Sequence, residues 1–288
     1  MTSLRLGPRR FAPGDLAVMA IVNRTPDSFF DRGATFAFDA ARRRVDHVIS
    51  EGAEIVDIGG VKAGHGPHVS EAEEIDRTAG LVEAVRADHP HTVISVDTYR
   101  ARVAEALCEA GAHLVNDTWA GADAGLAEVA ARHDAGLVCS HTGGQAPRTD
   151  PHRVNYADVV GDVVAHTTAL AERAVSVGVR RDAILVDPTH DFGKNTYHSL
   201  ELTRRLDELV ATGWPVLVSL SRKDFVGETL DLPVGERLSG TLAATAVSAW
   251  HGARVFRAHD VAATRHVLDM VGSIKGHRPP AAPKRGLV

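Results

Sequence analysis

Eight short apolar runs recur along the chain, separated by longer segments in which apolar residues return every three or four positions. The runs are LAVMAIVN (16–23), EIVDIGG (54–60), VISVDT (93–98), HLVND (113–117), GLVCSH (136–141), ILVDPT (184–189), VLVSLS (216–221) and VFRAHD (255–260). They are near-continuously apolar rather than alternating, which predicts strands covered on both faces, as in a parallel sheet flanked by helices. Segments 36–50, 70–87, 100–110, 124–133, 156–177, 198–212, 235–250 and 261–274 have the spacing of amphipathic helices. Gly52, Gly111, Gly136, Gly178, Gly213 and Gly252 follow the last periodic residue and are predicted as left-handed caps. Eight strand–helix alternations in 288 residues, against about 250 in a typical case, predict an α/β protein with a single (β/α)8 TIM barrel over 1–275. Residues 276–288 hold three prolines and several basic residues without periodicity and are predicted as a disordered tail.

Composition narrows the class. No apolar run is long enough to cross a bilayer, so no membrane partner is expected. A net charge of −5 gives no sequence-independent attraction to nucleic acid, which needs a basic face to displace counterions. Arg5, Arg9 and Arg10 are followed by Pro13, Gly14 and Asp15 rather than an apolar signal core, so export is not expected and the cytoplasm is. Cys108 lies in a helical pattern and Cys139 inside the fifth run; both read as small buried hydrophobes.

In a barrel of this kind the strand ends converge over one mouth, where ligands sit. Most runs end in a residue of the kind that binds ligands, namely Asn23, Asp97, Asn116, His141, Asp187, Lys223 and His259. Asp97, Asn116 and Asp187 close the third, fourth and sixth runs and together suit an amino-substituted heteroaromatic ring, to which Lys223 adds a point charge. Arg257 and His259 are alternate residues facing the same way and, with Asn23, form a candidate anion site; an arginine fork matches phosphate oxygens. Ser221, Arg222 and Lys223 lie at a turn that opens a following helix. Taken singly, a strand-end Asp can simply cap the next helix, and His259-Asp260 can be a structural pair.

Several dispersed motifs carry a resemblance. Val22-Asn23-Arg24-Thr25-Pro26-Asp27-Ser28-Phe29, Ser95-Val96-Asp97-Thr98, Asn116-Asp117, Phe192-Gly193-Lys194, Ser221-Arg222-Lys223 and Arg257-Ala258-His259-Asp260-Val261 occur in the order found in dihydropteroate synthases. The chain resembles that pterin-binding family from about Val18 to Val271. The resemblance implies the same barrel and a chemistry of folate biosynthesis. A dihydropterin loses pyrophosphate from its hydroxymethyl carbon while the amine of p-aminobenzoate attacks that carbon, assisted by Mg2+. It further implies that Asp97, Asn116, Asp187 and Lys223 hold the pterin. Asn23, Arg257 and His259 would hold the pyrophosphate, with Asn23 reaching its Mg2+, and Phe29 and Phe192 would form aromatic walls. Preorganised cations there would stabilise the charge that develops on the leaving group. A homodimer is also implied.

Three departures lie away from the pterin side. After the second run the family reads Gly-Gly-Glu-Ser-Thr-Arg-Pro-Gly; here Gly59-Gly60 continue as Val61-Lys62-Ala63-Gly64-His65-Gly66, so Ala63 and Gly64 replace Thr and Arg. Losing an arginine removes charge-assisted bonds of about 1.5 to 3 kcal/mol each, and Lys62 cannot reproduce its fork. Asp224 stands where the family has the serine that helps bind the p-aminobenzoate carboxylate. Facing that carboxylate at about 4 Å, it would cost about 4 kcal/mol at an effective dielectric near 20. Finally, Thr189 and Asp191 replace two glycines of the family's Asp-Pro-Gly-x-Gly-Phe-Gly-Lys, which predicts a reshaped loop. Phe30, Arg32 and Arg24 replace smaller family residues in the first loop.

The expectation is a homologue that keeps a pterin and pyrophosphate pocket, binds a pterin-like small molecule, and is inactive or strongly impaired as a synthase, with no catalytic residue assigned. Two alternatives carry their own marks. A working synthase would need Lys62 and Arg24 to replace the missing arginine. A metal-dependent hydrolase would need His65, His68, His141 and the His190-Asp191 pair to converge on Zn2+.

Overall fold

A computed structural model describes residues 3–25, 33–149 and 155–285. Eight of its strands form the predicted closed barrel. They are β3 (Ala17–Asn23), β4 (Ile55–Gly59), β5 (Val93–Asp97), β6 (Leu114–Asp117), β7 (Gly136–Ser140), β8 (Ile184–Asp187), β9 (Leu217–Ser219) and β10 (Val255–Ala258). The hydrogen-bonded order is β8-β7-β6-β5-β4-β3-β10-β9 and the pairings are parallel. A parallel bridge between Val186 and Val216 closes the ring. Register places the strand ends in one row: Asn23 pairs with Gly59, Gly59 with Asp97, and Asp97 with Asn116.

The ring of helices is α1 (Phe38–Ser50), α2 (Glu71–Asp88), α3 (Ala101–Glu109), α4 (Gly125–Arg132), α5 (Val159–Ser176), α6 (Thr196–Arg204), α7 (Leu206–Val210), α8 (Asp224–Leu230), α9 (Leu238–His251) and α10 (Val261–Ile274). Segment 198–212, which the spacing predicts as one helix, is broken at Arg205, whose guanidinium binds Glu201, Glu208 and Asp158. The seven-residue α8 is too short to show a period, and the spacing does not predict it. Five of the predicted glycine caps hold positive φ, but Gly136 does not; Asp134, at φ 51, makes that turn instead. Gly136 opens β7, where a Cβ would lie 2.6 Å from the carbonyl oxygen of Ala183 and 2.7 Å from Leu6. Close approach rather than backbone angle requires glycine there.

Before the first predicted run lies an antiparallel hairpin, β1 (Leu4–Leu6) with β2 (Arg9–Phe11), turned at Gly7-Pro8. Its Leu4, Leu6 and Phe11 are buried among Met19, Ile55, Val93, Leu114, Leu185 and Leu217, and they stopper the barrel floor. Each such side chain removed from water contributes about 1.5 to 3 kcal/mol. A second, larger core fills the layer between strands and helices. After α10 the chain turns back, with the His277 N–H donating to Gly272 O at 2.9 Å and Arg278 meeting Asp269. Among the described residues no helix is long and apolar enough to cross a membrane.

Candidate functional site

The row of strand ends is tied together by a residue that the sequence pattern does not single out. Asp57, in β4, is fully buried. Its Oδ1 accepts from Ser95 Oγ at 2.6 Å, and its Oδ2 accepts from Arg257 Nε at 2.6 Å and Asn116 Nδ2 at 3.1 Å. Arg257 also donates Nη2 to Asp97 Oδ2 at 2.7 Å, and Thr118 Oγ1 donates to Asp97 Oδ1 at 2.8 Å. Four strands, β4, β5, β6 and β10, thus share one carboxylate–amide–guanidinium network. Asp57 stands two positions before Gly59, so its side chain takes the same face as the strand end. A lone acid inside an apolar run is the signal that could have found it.

Burial pushes the Asp97 carboxyl up to about 6; Arg257 opposes the rise and Asp57 adds to it. For Arg257 burial works against the charge, yet Asp57 and Asp97 outweigh it and raise the pKa. Across the mouth, burial raises the Asp187 pKa against the opposing Lys223 charge, and Asp187 Oδ1 accepts from the Thr189 N–H at 2.7 Å. Burial likewise lowers the Lys223 pKa, opposed by Asp191 and Asp187. Lys223 Nζ donates to His190 O and lies 4.8 Å from the centre of the Phe192 ring, which meets Trp119 edge-on at 5.2 Å. The predicted pterin residues and the Phe192 wall are therefore brought together. Phe29, Phe30 and Arg32 lie outside the described residues.

The anion-side residues divide. The Asn23 side chain lies beside Gly59, as does Asp97; a Cβ at that glycine would be 3.5 Å from each. Arg257, expected on pyrophosphate, commits Nε and Nη2 to carboxylates. His259 sits behind it, with Nδ1 and Ser221 Oγ 2.9 Å apart. Burial, then the charges of Arg257, Arg222 and Arg44, lower its pKa to about 3, so the ring is neutral. Arg222 is structural, binding Asp260 through Nε and Nη2 and the carbonyls of Val234 and Gly235 through Nη1.

The diverged positions do not behave alike. Gly64 is exposed, and a Cβ there would meet only Lys62 Cε at 3.8 Å, so among the described residues no guanidinium stands where the family arginine would and the Lys62 chain is the one side chain beside that position. Asp224 corrects an expectation. Its carboxylate is 77% exposed and pairs with Arg237 Nη1 at 2.8 Å, so its charge is matched and screened rather than bare and the predicted repulsion of about 4 kcal/mol is not set up; the absence of the serine hydroxyl remains. The loop after β8 also departs from expectation, because Thr189 and Asp191 hold φ 53 and 71, the left-handed angles a glycine would take. Thr189 Oγ1 offsets that strain by donating to Asp187 O and accepting from the His141 N–H. Asp191 Oδ2 caps α8 from outside, accepting from the backbone N–H groups of Asp224 at 2.7 Å and Phe225 at 3.3 Å.

Lys194 stands out in the sequence only as one residue of a motif. Its Nζ is caged by the carbonyls of His141, Thr189 and Phe192 at 2.8, 3.1 and 2.9 Å, and burial, then the Lys223 charge, lowers its pKa to about 7. It braces the loop rather than the mouth. Of the two substitutes that the working-synthase reading requires, Arg24 is engaged elsewhere: its Nε donates to Arg77 O at 2.8 Å and the guanidinium packs over Phe36 and Phe38. Lys62 brings its Cε within 3.8 Å of a Cβ placed at Gly64, but its ammonium cannot reproduce a bidentate fork. The zinc reading also fails to assemble. His65 and His68 are exposed, His141 Nε2 is 2.6 Å from Asp162, and His190 stacks on Phe225. No metal-holding group of three His, Cys, Asp or Glu occurs among the described residues.

A closed parallel barrel whose mouth presents paired acids, an amide and two cations defines a small-molecule site of the α/β-barrel enzyme class. Residues 19–259 match the family described as pterin binding enzyme, and the chain belongs to that family. It is 60% identical over 274 residues to the Mycobacterium leprae protein named inactive dihydropteroate synthase 2, covering 94% of each chain. To the Haemophilus influenzae dihydropteroate synthase it is 37% identical, covering 87% of this chain and 91% of that one. A solved Yersinia pestis dihydropteroate synthase in complex with a sulfonamide drug superposes with a TM-score of 0.90 at 33% identity, over 96% of this chain and 100% of that one.

Proposed function

We propose that this chain is a pterin-binding barrel that has lost effective dihydropteroate synthase activity. The carrying observation is the asymmetry of the mouth. The Asp57–Asn116–Arg257–Asp97 network is complete, whereas the exposed loop at Ala63 and Gly64 has only the Lys62 chain beside it in place of a bidentate cation. Greater identity to a relative named inactive than to one named as the synthase supports this reading. A pterin would present its ring donors to Asp97 and Asp187 and its ring acceptors to Asn116 and Lys223. Mg2+ would accompany a pyrophosphate-bearing ligand through Asn23 Oδ1, a hard oxygen donor suited to an ion that keeps most of its ligands as water and phosphate. The ion would shield pyrophosphate charge.

Two subsidiary readings follow. Trp250, Val247, Met270 and Ile274 expose apolar surface on α9 and α10, which supports a homodimer; sedimentation equilibrium tests it. The buried free thiols of Cys108 and Cys139 support a reducing, cytoplasmic setting, tested by fractionation.

Calorimetry with hydroxymethyl-dihydropterin pyrophosphate and Mg2+, followed by a pteroate assay with p-aminobenzoate, tests the main proposal. Saturable pterin binding without pteroate, and no rescue of a synthase-null strain, are expected. Robust turnover overturns the loss of activity, and absence of pterin binding overturns the retained pocket.

A further inference from the structure

Strand β9 runs between β8 and β10 in the ring, and its side chains point alternately in and out. Leu217 belongs to the core at the barrel floor and Val218 to the core outside the strands, so Ser219 turns inward above Leu217. Register sets Ser219 beside Arg257, and the Val186–Val216 bridge sets β8, which ends in Asp187, on the other side. Ser219 therefore stands at the mouth, on the strand between Arg257 and Asp187.

Most polar side chains turned inward at this level are committed. Ser95 Oγ donates to Asp57 at 2.6 Å, Asn116 Nδ2 donates to Asp57 at 3.1 Å, and Ser140 Oγ accepts from the Ala120 N–H at 3.0 Å. Ser219 differs: it is 9% exposed, and its hydroxyl makes no hydrogen bond among the described residues. Buried polar groups in folded proteins have partners as a rule, so a buried hydroxyl left free beside a ligand site points to a partner on the ligand. The carboxylate next to it is half free as well. Asp187 Oδ1 takes the Thr189 N–H at 2.7 Å, whereas Oδ2 makes no hydrogen bond among the described residues.

We infer, on the reading of the mouth as a pterin site, that Asp187 Oδ2 accepts one N–H of the ring amino group and Ser219 Oγ accepts the other. Ser219 is thereby a specificity-determining residue, selecting a primary ring amine over a substituted one. An amino N–H taken from water into the mouth without an acceptor weakens binding, because its lost hydration is not replaced. A methyl in place of that N–H offers the hydroxyl no donor and leaves Ser219 unpaired.

The test is calorimetric titration of the full chain with hydroxymethyl-dihydropterin and with its analogue in which a methylamino group replaces the ring amine. Neither ligand carries pyrophosphate, so the loop at Ala63 and Gly64 does not enter. The parent chain should prefer the primary amine, and Ser219→Ala should weaken that ligand about fivefold, the loss of one neutral hydrogen bond, without weakening the methylamino analogue. A role confined to packing in β9 would weaken both ligands alike, leaving the preference intact, and that result overturns the inference. So does a parent chain that binds both ligands equally, or an unchanged affinity of the variant for the primary amine. A parent chain that binds neither ligand overturns the pterin reading and the inference with it, whereas saturable pterin binding indifferent to Ser219→Ala removes the inference alone.

Discussion

The two sides of the barrel mouth are built from different materials. On the pterin side, strand ends fixed by barrel register carry a buried network in which Asp57 joins β4 to β5, β6 and β10. On the opposite side lie loops whose backbones run through solvent, as at Gly64, or are held by substituted side chains, as at Thr189 and Asp191. A change on the first side leaves a buried charge unpaired, and so costs stability as well as function. A change on the second costs the fold little. Synthase chemistry needs both sides and folding needs one, so the loop side is where activity is lost without loss of the protein.

The largest effect should come from breaking the rigid side. Asp57→Ala strips Arg257 of a buried partner and is expected to destabilise the chain by about 3 to 5 kcal/mol in chemical denaturation, with pterin binding lost. A small change would show that Arg257 re-pairs fully on Asp97.

Rebuilding the loop side should act on ligand and not on fold. Ala63→Thr/Gly64→Arg should tighten the pyrophosphate-bearing pterin roughly tenfold to a hundredfold, as expected for one restored charge-assisted contact, and leave the affinity for a pterin without pyrophosphate unchanged. Equal gains for both ligands would place the arginine on the ring and defeat the comparison.

Acidity should separate the sides further. In the proposed site Asp97 would accept pterin donors as a carboxylate, and its pKa is raised to about 6, so pterin affinity should fall as pH drops through that value. Stability should respond as well. His141 and His259 are neutral in the fold, with pKa lowered to about 4 and about 3, whereas unfolding restores values near 6.5; their contribution is complete above 6.5 and is lost as pH falls below it. Asp97 and Asp117 act in the opposite sense between about 4 and 6, because their raised pKa makes the fold bind protons that the unfolded chain releases. Pterin affinity that is flat across this window would remove Asp97 from the ligand site.

The smallest effect belongs to Asp224→Ser. The Asp224 carboxylate lies largely in solvent and Arg237 keeps its bonds to the carbonyls of Leu232 and Arg222, so stability should change by less than about 1 kcal/mol, while any p-aminobenzoate binding detected by calorimetry should improve. A larger loss of stability would mean that this loop is not independent of the core.

The pattern of the chain determined the barrel and the positions of its mouth residues. Apolar runs of strand length must be covered on both faces, and their polar ends then have only the mouth to occupy; Asn23, Asp97, Asn116, Asp187 and Lys223 were legible for that reason. Asp57 was legible in principle, as a lone acid inside such a run. The hairpin at Leu4–Leu6 and Arg9–Phe11 was not, because three-residue strands carry too little period; the alternation around Gly7-Pro8 was its only trace. Tertiary structure alone decided the rest. Asp224 is matched by Arg237, thirteen residues on, and Asp191 caps α8 across a gap of 33 residues. Arg257 lies on Asp57 and Asp97 because the closed barrel brings the last strand beside the first. Local spacing fixes which face a side chain takes, but the partner of a charged group is set by distances between elements far apart in the chain, and those exist only once the ring has closed.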